Sequence, residues 1–166
     1  MTQFPTHLIH DSEEVEAPFY RWLAANSGPE DWHRFALGAN WDMHEPELFE
    51  WIARQPDCDK ATALVLFWKA SPDYAIEFPE GFHEHRGLVD LIRERWSAGE
   101  YQRTEFAFAP KQDAWMPDFK QLSTQIGKRI DQELPVSMRQ PLQGVRLETD
   151  GDIEGIPSRF WPEELR

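Results

Sequence analysis

The run Ala61-Thr-Ala-Leu-Val-Leu-Phe-Trp68 is the longest apolar stretch of the chain, with a single threonine inside it. Wound as a helix it is apolar on every side, which is typical of a segment buried at the centre of a domain. Asp57 or Asp59 can cap such a helix, and two alanines favour it. A buried strand is the competing interpretation, because Val65 and Phe67 also suit a sheet. We predict a buried central helix over residues 60–70.

Five shorter amphipathic helices are predicted around this segment, each delimited by proline or glycine. Ser27-Gly-Pro-Glu30 is typical of a capping box at the start of the second of them. Pro46 begins the next one, which stops near Gln55-Pro56. The apolar positions that recur at helical spacing are Phe19, Trp22 and Leu23; Trp32, Phe35, Ala36 and Ala39; Leu48, Trp51 and Ile52; Leu88, Leu91, Ile92 and Trp96; and Phe119, Leu122, Ile126 and Ile130.

The last third of the chain carries strand signals. Residues 104–109 alternate with the two-residue period of a strand, and residues 145–147 do so again before the turn signal Asp150-Gly151. The predicted class is therefore mainly α, or α+β if these strands pair as a small antiparallel pair or hairpin. A length of 166 residues predicts one domain, 1–166. The aromatic tail, residues 156–166, is expected to pack on its body through Phe160 and Trp161.

Composition restricts the possible classes of protein. The chain has 11 Phe, 8 Trp and 3 Tyr and is 40% hydrophobic, which suits a packed core. No apolar stretch approaches the roughly 18 residues that span a bilayer, so no membrane partner is predicted. The N-terminus has no readable secretory signal, and the single cysteine, Cys58, agrees with a reducing compartment. We expect a cytoplasmic protein.

The net charge of −13 is unevenly placed, with 12 acidic and 4 basic side chains in residues 1–60. Such a field repels phosphate backbones and attracts basic surfaces, so direct nucleic-acid binding is disfavoured. Helix starts explain part of the surplus, because the helix dipole favours carboxylates there. The remainder is either a solvated face or a docking face for a basic protein. The candidate partner-binding residues are Glu13, Glu14, Glu16, Asp31, Trp41, Asp42, Glu45, Glu47 and Glu50.

The motifs that could carry catalysis or bind metal are weak. His83-Glu-His85 is the nearest approach to a metal pair, but residues two apart on a helix point about 200° apart. With His44 and Asp90 these histidines support a hypothesis of a metal-assisted hydrolase.

Two other patterns fail as sites. Residues 150–155 imitate the first half of a calcium-binding loop, but Trp161 stands where the bidentate glutamate is required. Cys58 lies between Asp57 and Asp59, whose charges raise the pKa of a thiol and suppress the nucleophilic thiolate. We therefore predict no catalytic residue, no metal and no cofactor, and we do not expect an enzyme.

Residues 51–68 resemble part of a known protein family. This stretch is similar to a bacterial family of domains of unknown function whose members share a Q-P-x-C-D-x-x-T-A-L-x-x-F-W core. Residues 35–41 and 71–74 resemble the flanks of that core, so the similarity covers about residues 30–80. The resemblance implies a packing motif in which a turn and a cap seat the buried helix, formed by Gln55, Cys58, Asp59 and Thr62. Relatives resemble small, soluble bacterial proteins found near toxin and secretion genes, and the similarity carries no established activity.

Together, these features predict an acidic cytoplasmic binding protein. The leading hypothesis is an immunity or inhibitor protein that neutralises a basic bacterial toxin by docking an acidic face on it. The alternatives are an adaptor or self-assembling interaction domain and, ranked last, the metal-assisted hydrolase. The oligomeric state and the identity of the partner are left open.

Overall fold

The computed structural model describes residues 2–11, 16–114, 116–117, 124–149 and 152–163. These ranges form a mainly helical fold, as the sequence predicts. None of the helices within them is long and apolar enough to cross a membrane. The helices of the described residues are α1 (His7–Asp11), α2 (Glu16–Asn26), α3 (Pro29–Gly38), α4 (Pro46–Ala53), α5 (Lys60–Lys69), α6 (Pro72–Glu77), α7 (Arg86–Ser97), α8 (Pro110–Asp113) and α9 (Thr124–Glu133).

Helix α5 is the buried centre of the fold, which confirms the prediction for residues 60–70. Every residue from Ala61 to Trp68 is buried, and α3, α4, α6, α7 and α8 all pack against α5. The Trp68 indole donates to the carbonyl of Met138 at 2.8 Å. At the helix end, the Lys69 ammonium donates to the carbonyls of Ala36 at 2.9 Å and Leu37 at 2.6 Å. Lys69 therefore caps the C-terminus of α3, where the helix dipole favours a cation.

The start of α5 is held by the carboxylate of Asp59, which is completely buried. One oxygen accepts from the backbone N–H of Ala61 at 2.8 Å and caps the helix. The other accepts from the N–H groups of Glu105 at 2.6 Å and Phe106 at 3.4 Å. Asp59 therefore attaches the extended segment around residues 103–106 to the start of the central helix. Of the two predicted cap residues, Asp57 is exposed in the preceding turn.

Gln55 and Cys58 of the Q-P-x-C-D-x-x-T core are also buried and structural. Gln55 donates to the carbonyl of Trp51 at 2.9 Å, and its side-chain oxygen accepts from the N–H of Thr2 at 3.2 Å. Burial raises the pKa of the Cys58 thiol, which keeps it protonated and inert. These contacts agree with the implied turn and cap.

Thr62 of the same core pairs with a buried histidine. The Thr62 hydroxyl lies 3.1 Å from Nδ1 of His33, and the His33 ring stacks on Phe106 with ring centres 4.8 Å apart. Burial lowers the pKa of His33 to about 4, so the ring is neutral at pH 7. The histidine is therefore a core residue that joins α3 to α5 and to the extended segment.

The cap of α3 differs from the predicted one. Gly28 is the N-cap, and its N–H donates to the Asp31 carboxylate at 3.0 Å, which is one half of a capping box; glycine has no side chain to form the other half, and the predicted box of Ser27 and Glu30 is not formed. The Ser27 hydroxyl turns back to donate to the carbonyl of Leu23 and accepts from the indole of Trp32 at 2.7 Å. Helices α1, α6 and α8 were not predicted, and Phe119 and Leu122 of the predicted last helix lie outside the described residues.

The extended segments near residues 104–109 and 145–147 do not form the predicted antiparallel pair but meet through two isolated bridges. Phe106 forms a parallel bridge with Val145, and Phe108 forms an antiparallel bridge with Leu142. The antiparallel pair is instead β1 (Asp152–Ile153) with β2 (Ile156–Pro157), joined by Glu154 and Gly155 at φ of 55° and 81°. A Cβ atom at Gly155 would lie 2.8 Å from the backbone nitrogen of Ala39, so only glycine allows this hairpin to approach α3 so closely.

Residues after the hairpin pack on α2. The ring of Phe160 lies 5.5 Å from those of Phe19 and Trp22, and the Trp161 indole donates to the carbonyl of Ile156 at 3.0 Å. The guanidinium of Arg159 covers Trp22 at 4.5 Å. These contacts tie the C-terminal segment to α2.

Replacement of Asp59 tests whether its carboxylate holds the fold. We expect Asp59→Ala to lower the free energy of unfolding by about 3 to 5 kcal/mol, because three backbone N–H groups lose their acceptor. Asp57→Ala, two residues earlier and exposed, is the matched control and should change stability by less than about 0.5 kcal/mol. Urea unfolding followed by circular dichroism measures both. Equal effects of the two substitutions would contradict the assignment.

Candidate docking surface

The predicted partner-binding residues do not all lie on one face. Glu13 and Glu14 lie outside the described residues. Asp31 is engaged in the cap of α3, and Glu50 forms an ion pair with Arg54 at 2.9 Å within α4. These two carboxylates are therefore already engaged by other groups of the same chain. The residues that remain available are Glu16, Trp41, Asp42, Glu45 and Glu47.

A buried pair, Tyr20 and His44, lies beneath this surface. The Tyr20 hydroxyl is 2.7 Å from Nδ1 of His44, and Nε2 of His44 is 3.2 Å from the carbonyl of Glu154. A carbonyl only accepts, so Nε2 carries the proton and Nδ1 accepts from the Tyr20 hydroxyl. Burial lowers the pKa of His44 and raises that of Tyr20, so both groups stay neutral at pH 7. This pair joins α2 to the C-terminal hairpin.

Carboxylates surround the buried pair. Glu16 and Glu45 lie close enough to Tyr20 to raise its pKa further, and Glu16 and Glu154 oppose the lowering of the pKa of His44. We call Glu16, Asp42, Glu45 and Glu154 the acidic rim. None of the four forms an ion pair with a residue that the structure describes. Asp42 and Glu45 are exposed to solvent, and Glu16 and Glu154 are half-buried. Glu47 is exposed in the first turn of α4.

Trp41 links the rim to a second feature. It is half-buried in a 3-10 turn, Trp41–Met43, and stacks on Phe49 with ring centres 4.0 Å apart. Its ring meets His85 edge-on at 4.8 Å, and Asp42 raises the pKa of that histidine against the larger lowering by burial. The indole nitrogen of Trp41 is buried and has no hydrogen-bond partner in the described part of the chain. Trp41 is therefore a partly exposed aromatic residue beside the acidic rim, whereas Trp32 is buried in the core.

Beside His85 lies a cavity that sequence reasoning missed. It has a volume of about 480 Å³ and is lined by Ser71, Asp73, Tyr74, Phe82, His83, Glu84 and His85, which we call the aromatic pocket. Phe82 is 88% exposed and Tyr74 is 46% exposed. The sequence does indicate that Phe82 and Tyr74 could be exposed, because both fall outside the long amphipathic helices. The predictions for this stretch rested only on the two histidines.

The structure does not gather the four side chains of the metal hypothesis. Both ring nitrogens of His44 are engaged by Tyr20 and Glu154, and Asp90 lies 3.9 Å from the guanidinium of Arg93 on α7. Among the residues the structure describes, no group of three or more His, Cys, Asp or Glu side chains could hold a metal ion. His83 and His85 do lie together, with ring centres 6.3 Å apart.

A family model described as a domain of unknown function, DUF4274, matches residues 27–111. The chain belongs to the DUF4274 family. The predicted resemblance to a family of domains of unknown function is therefore confirmed. The DUF4274 match runs from the start of α3 into α8 and includes the buried α5, Asp42 and Glu45 of the acidic rim and the whole aromatic pocket. No curated protein and no solved structure matches the chain.

The neutral state of His44 predicts acid sensitivity. Its pKa in the folded chain lies below the unfolded value of 6.5, so its stabilising contribution is present above pH 6.5 and is lost as the pH falls toward the folded pKa. We expect the free energy of unfolding to decrease from pH 7 to pH 5, and to decrease less in His44→Gln, which keeps a donor and an acceptor. Urea unfolding at both pH values measures this. Equal decreases in the two proteins would contradict the role of His44.

Proposed function

We propose that the chain is an acidic binding protein that docks the acidic rim on a basic protein. In the form that we favour, it acts in the bacterial cytoplasm as the immunity or inhibitor partner of a basic toxin. The observation that carries this proposal is the acidic rim itself: three carboxylates around a buried neutral pair, and Asp42 two residues before His44, with no ion-pair partner among the described residues.

The rim contrasts with the carboxylates that arginine side chains neutralise within the chain. Away from it, seven arginines each pair with a carboxylate, and surface pairs of this kind contribute little to stability but neutralise the local field. Around Tyr20 and His44 the carboxylates repel one another without such compensation. A fold gains nothing from this repulsion, whereas a basic partner would relieve it on binding. The net charge of −13 would also speed the encounter with that partner.

The rim suits the active surface of a toxin that acts on nucleic acid. Such a surface carries lysine and arginine side chains that receive phosphates, and carboxylates can take the place of those phosphates. Self-assembly through the same face is disfavoured, because two copies would bring two unneutralised rims together.

Affinity capture tests the proposal, with the tagged chain as bait and a variant of it in which two rim carboxylates are replaced by lysine. Tagged wild-type chain and the variant Asp42→Lys/Glu45→Lys are incubated with extract of a bacterium that encodes the chain. We expect the wild type to retain a basic protein that is released as salt is raised, since salt screens the exposed charges. The double variant should retain at least tenfold less of it, because two attractions become repulsions. Quantitative mass spectrometry of the bound fraction measures the difference.

The matched control is Asp57→Lys/Glu94→Lys, which makes the same change in net charge. Both of its residues are exposed. Asp57 follows the C-terminus of α4, and Glu94 precedes Arg95, whose guanidinium donates to the carbonyl of Ala53 at that same end. Asp42 and Glu45 instead precede the start of α4. Equal retention by the two double variants would overturn the proposal, and recovery of the chain alone would favour the adaptor hypothesis.

A further inference from the structure

Helix α6 and the loop that joins it to α7 expose large aromatic side chains. Phe82 is 88% exposed, Tyr74 46% and Phe78 45%, and the rings of Tyr74 and Phe78 lie 4.8 Å apart. Three neighbouring aromatic residues in water are unusual for an isolated surface and typical of a contact site. The acidic rim does not account for them.

This loop is held in place by the fold. The guanidinium of Arg86 donates to the carbonyls of Phe78 at 2.7 Å, Gly81 at 3.0 Å and Ala75 at 3.4 Å. The N–H of Gly81 donates back to Phe78 at 3.0 Å. The exposed position of Phe82 is therefore built by specific hydrogen bonds. Arg86 itself is engaged by these carbonyls and does not line the aromatic pocket.

Each histidine of the pocket has one ring nitrogen that the described residues leave unsatisfied. Nε2 of His83 lies 3.2 Å from the carbonyl of Ser71, so in the neutral ring Nε2 donates and Nδ1 is an acceptor. Burial lowers the pKa of His85, which favours its neutral ring as well. Nδ1 of each histidine is buried and has no hydrogen-bond partner among the described residues.

The charge of the pocket is negative. Asp73 and Glu84 are among its lining residues, and that lining contains no lysine or arginine from the described part of the chain. Aromatic faces attract a cation, and carboxylates accept hydrogen bonds, so the lining favours a ligand that is a cation and carries several N–H groups. A guanidinium has both properties, and its flat shape allows it to stack on an aromatic ring.

We propose that the aromatic pocket binds an arginine side chain of a basic protein partner. The inference rests on the proposed function and names the side chain through which that partner is recognised. The pocket is continuous with the acidic rim, because Trp41 contacts His85 at 4.8 Å and Asp42 follows Trp41 in the same turn. One partner surface can therefore place its basic groups on the rim and one arginine in the pocket.

The test uses a peptide of four Gly-Arg repeats and two matched peptides in which every arginine is replaced by lysine or by citrulline. Citrulline keeps the shape of arginine and removes its charge. Isothermal titration calorimetry measures binding to the wild type, Tyr74→Ala, Phe82→Ala, Asp42→Lys/Glu45→Lys and the control Val136→Ala, whose side chain is 59% exposed outside the pocket. We expect the arginine peptide to bind most tightly, and Phe82→Ala and Tyr74→Ala each to weaken it by roughly threefold to tenfold. Val136→Ala should bind as the wild type does.

The outcomes separate this inference from the proposed function. If Asp42→Lys/Glu45→Lys weakens binding of the arginine peptide while Tyr74→Ala and Phe82→Ala do not, the pocket assignment is wrong and acidic docking stands. Equal affinity for the arginine and lysine peptides would also overturn the assignment to arginine. If the citrulline peptide binds as well as the arginine peptide and charge reversal changes nothing, both proposals fail.

Discussion

Backbone N–H groups from two separate parts of the chain converge on one buried carboxylate, that of Asp59. It caps α5 and attaches the extended segment around residue 105, so the buried central helix and the last third of the chain are joined at one point. At the other end of α5, Lys69 caps α3. The acidic turn at residues 41–45 follows α3, and the aromatic pocket begins at Ser71, directly after α5. The C-terminal end of one buried helix therefore positions both parts of the docking surface.

The helical part of this account could be predicted from the sequence, and the reason is physical. Helix α5 is apolar on every side, and α3 and α4 begin at Pro29 and Pro46, where a missing N–H does no harm. Helices α6 and α8 have six and four residues, too few to show a helical period. The bridges of Phe106 and Phe108 to residues near 145 depend on long-range contacts that local alternation does not specify.

The docking surface was less predictable. An acidic residue near a helix start can be a cap, a member of an ion pair or a free charge, and only the folded chain distinguishes Asp31 and Glu50 from Asp42. The His83-Glu-His85 pattern suggested a metal pair, but the carbonyl of Ser71 already engages one nitrogen of His83. Exposure of Phe82 is a tertiary property that its neighbours in sequence do not reveal. The rim and the pocket form one negative surface that includes aromatic side chains, and this combination suits a basic partner rich in arginine.

The most direct test of this account is a hydrogen-exchange footprint on the chain, alone and with the basic protein that affinity capture recovers. Backbone amides in residues 40–47 and 71–86 belong to the acidic rim and the aromatic pocket. We predict that the partner slows exchange in both stretches, and that the slowing disappears as salt weakens the complex. Slowed exchange confined to the opposite end of α4 and α7, around residues 54–58 and 94–100, would contradict the account.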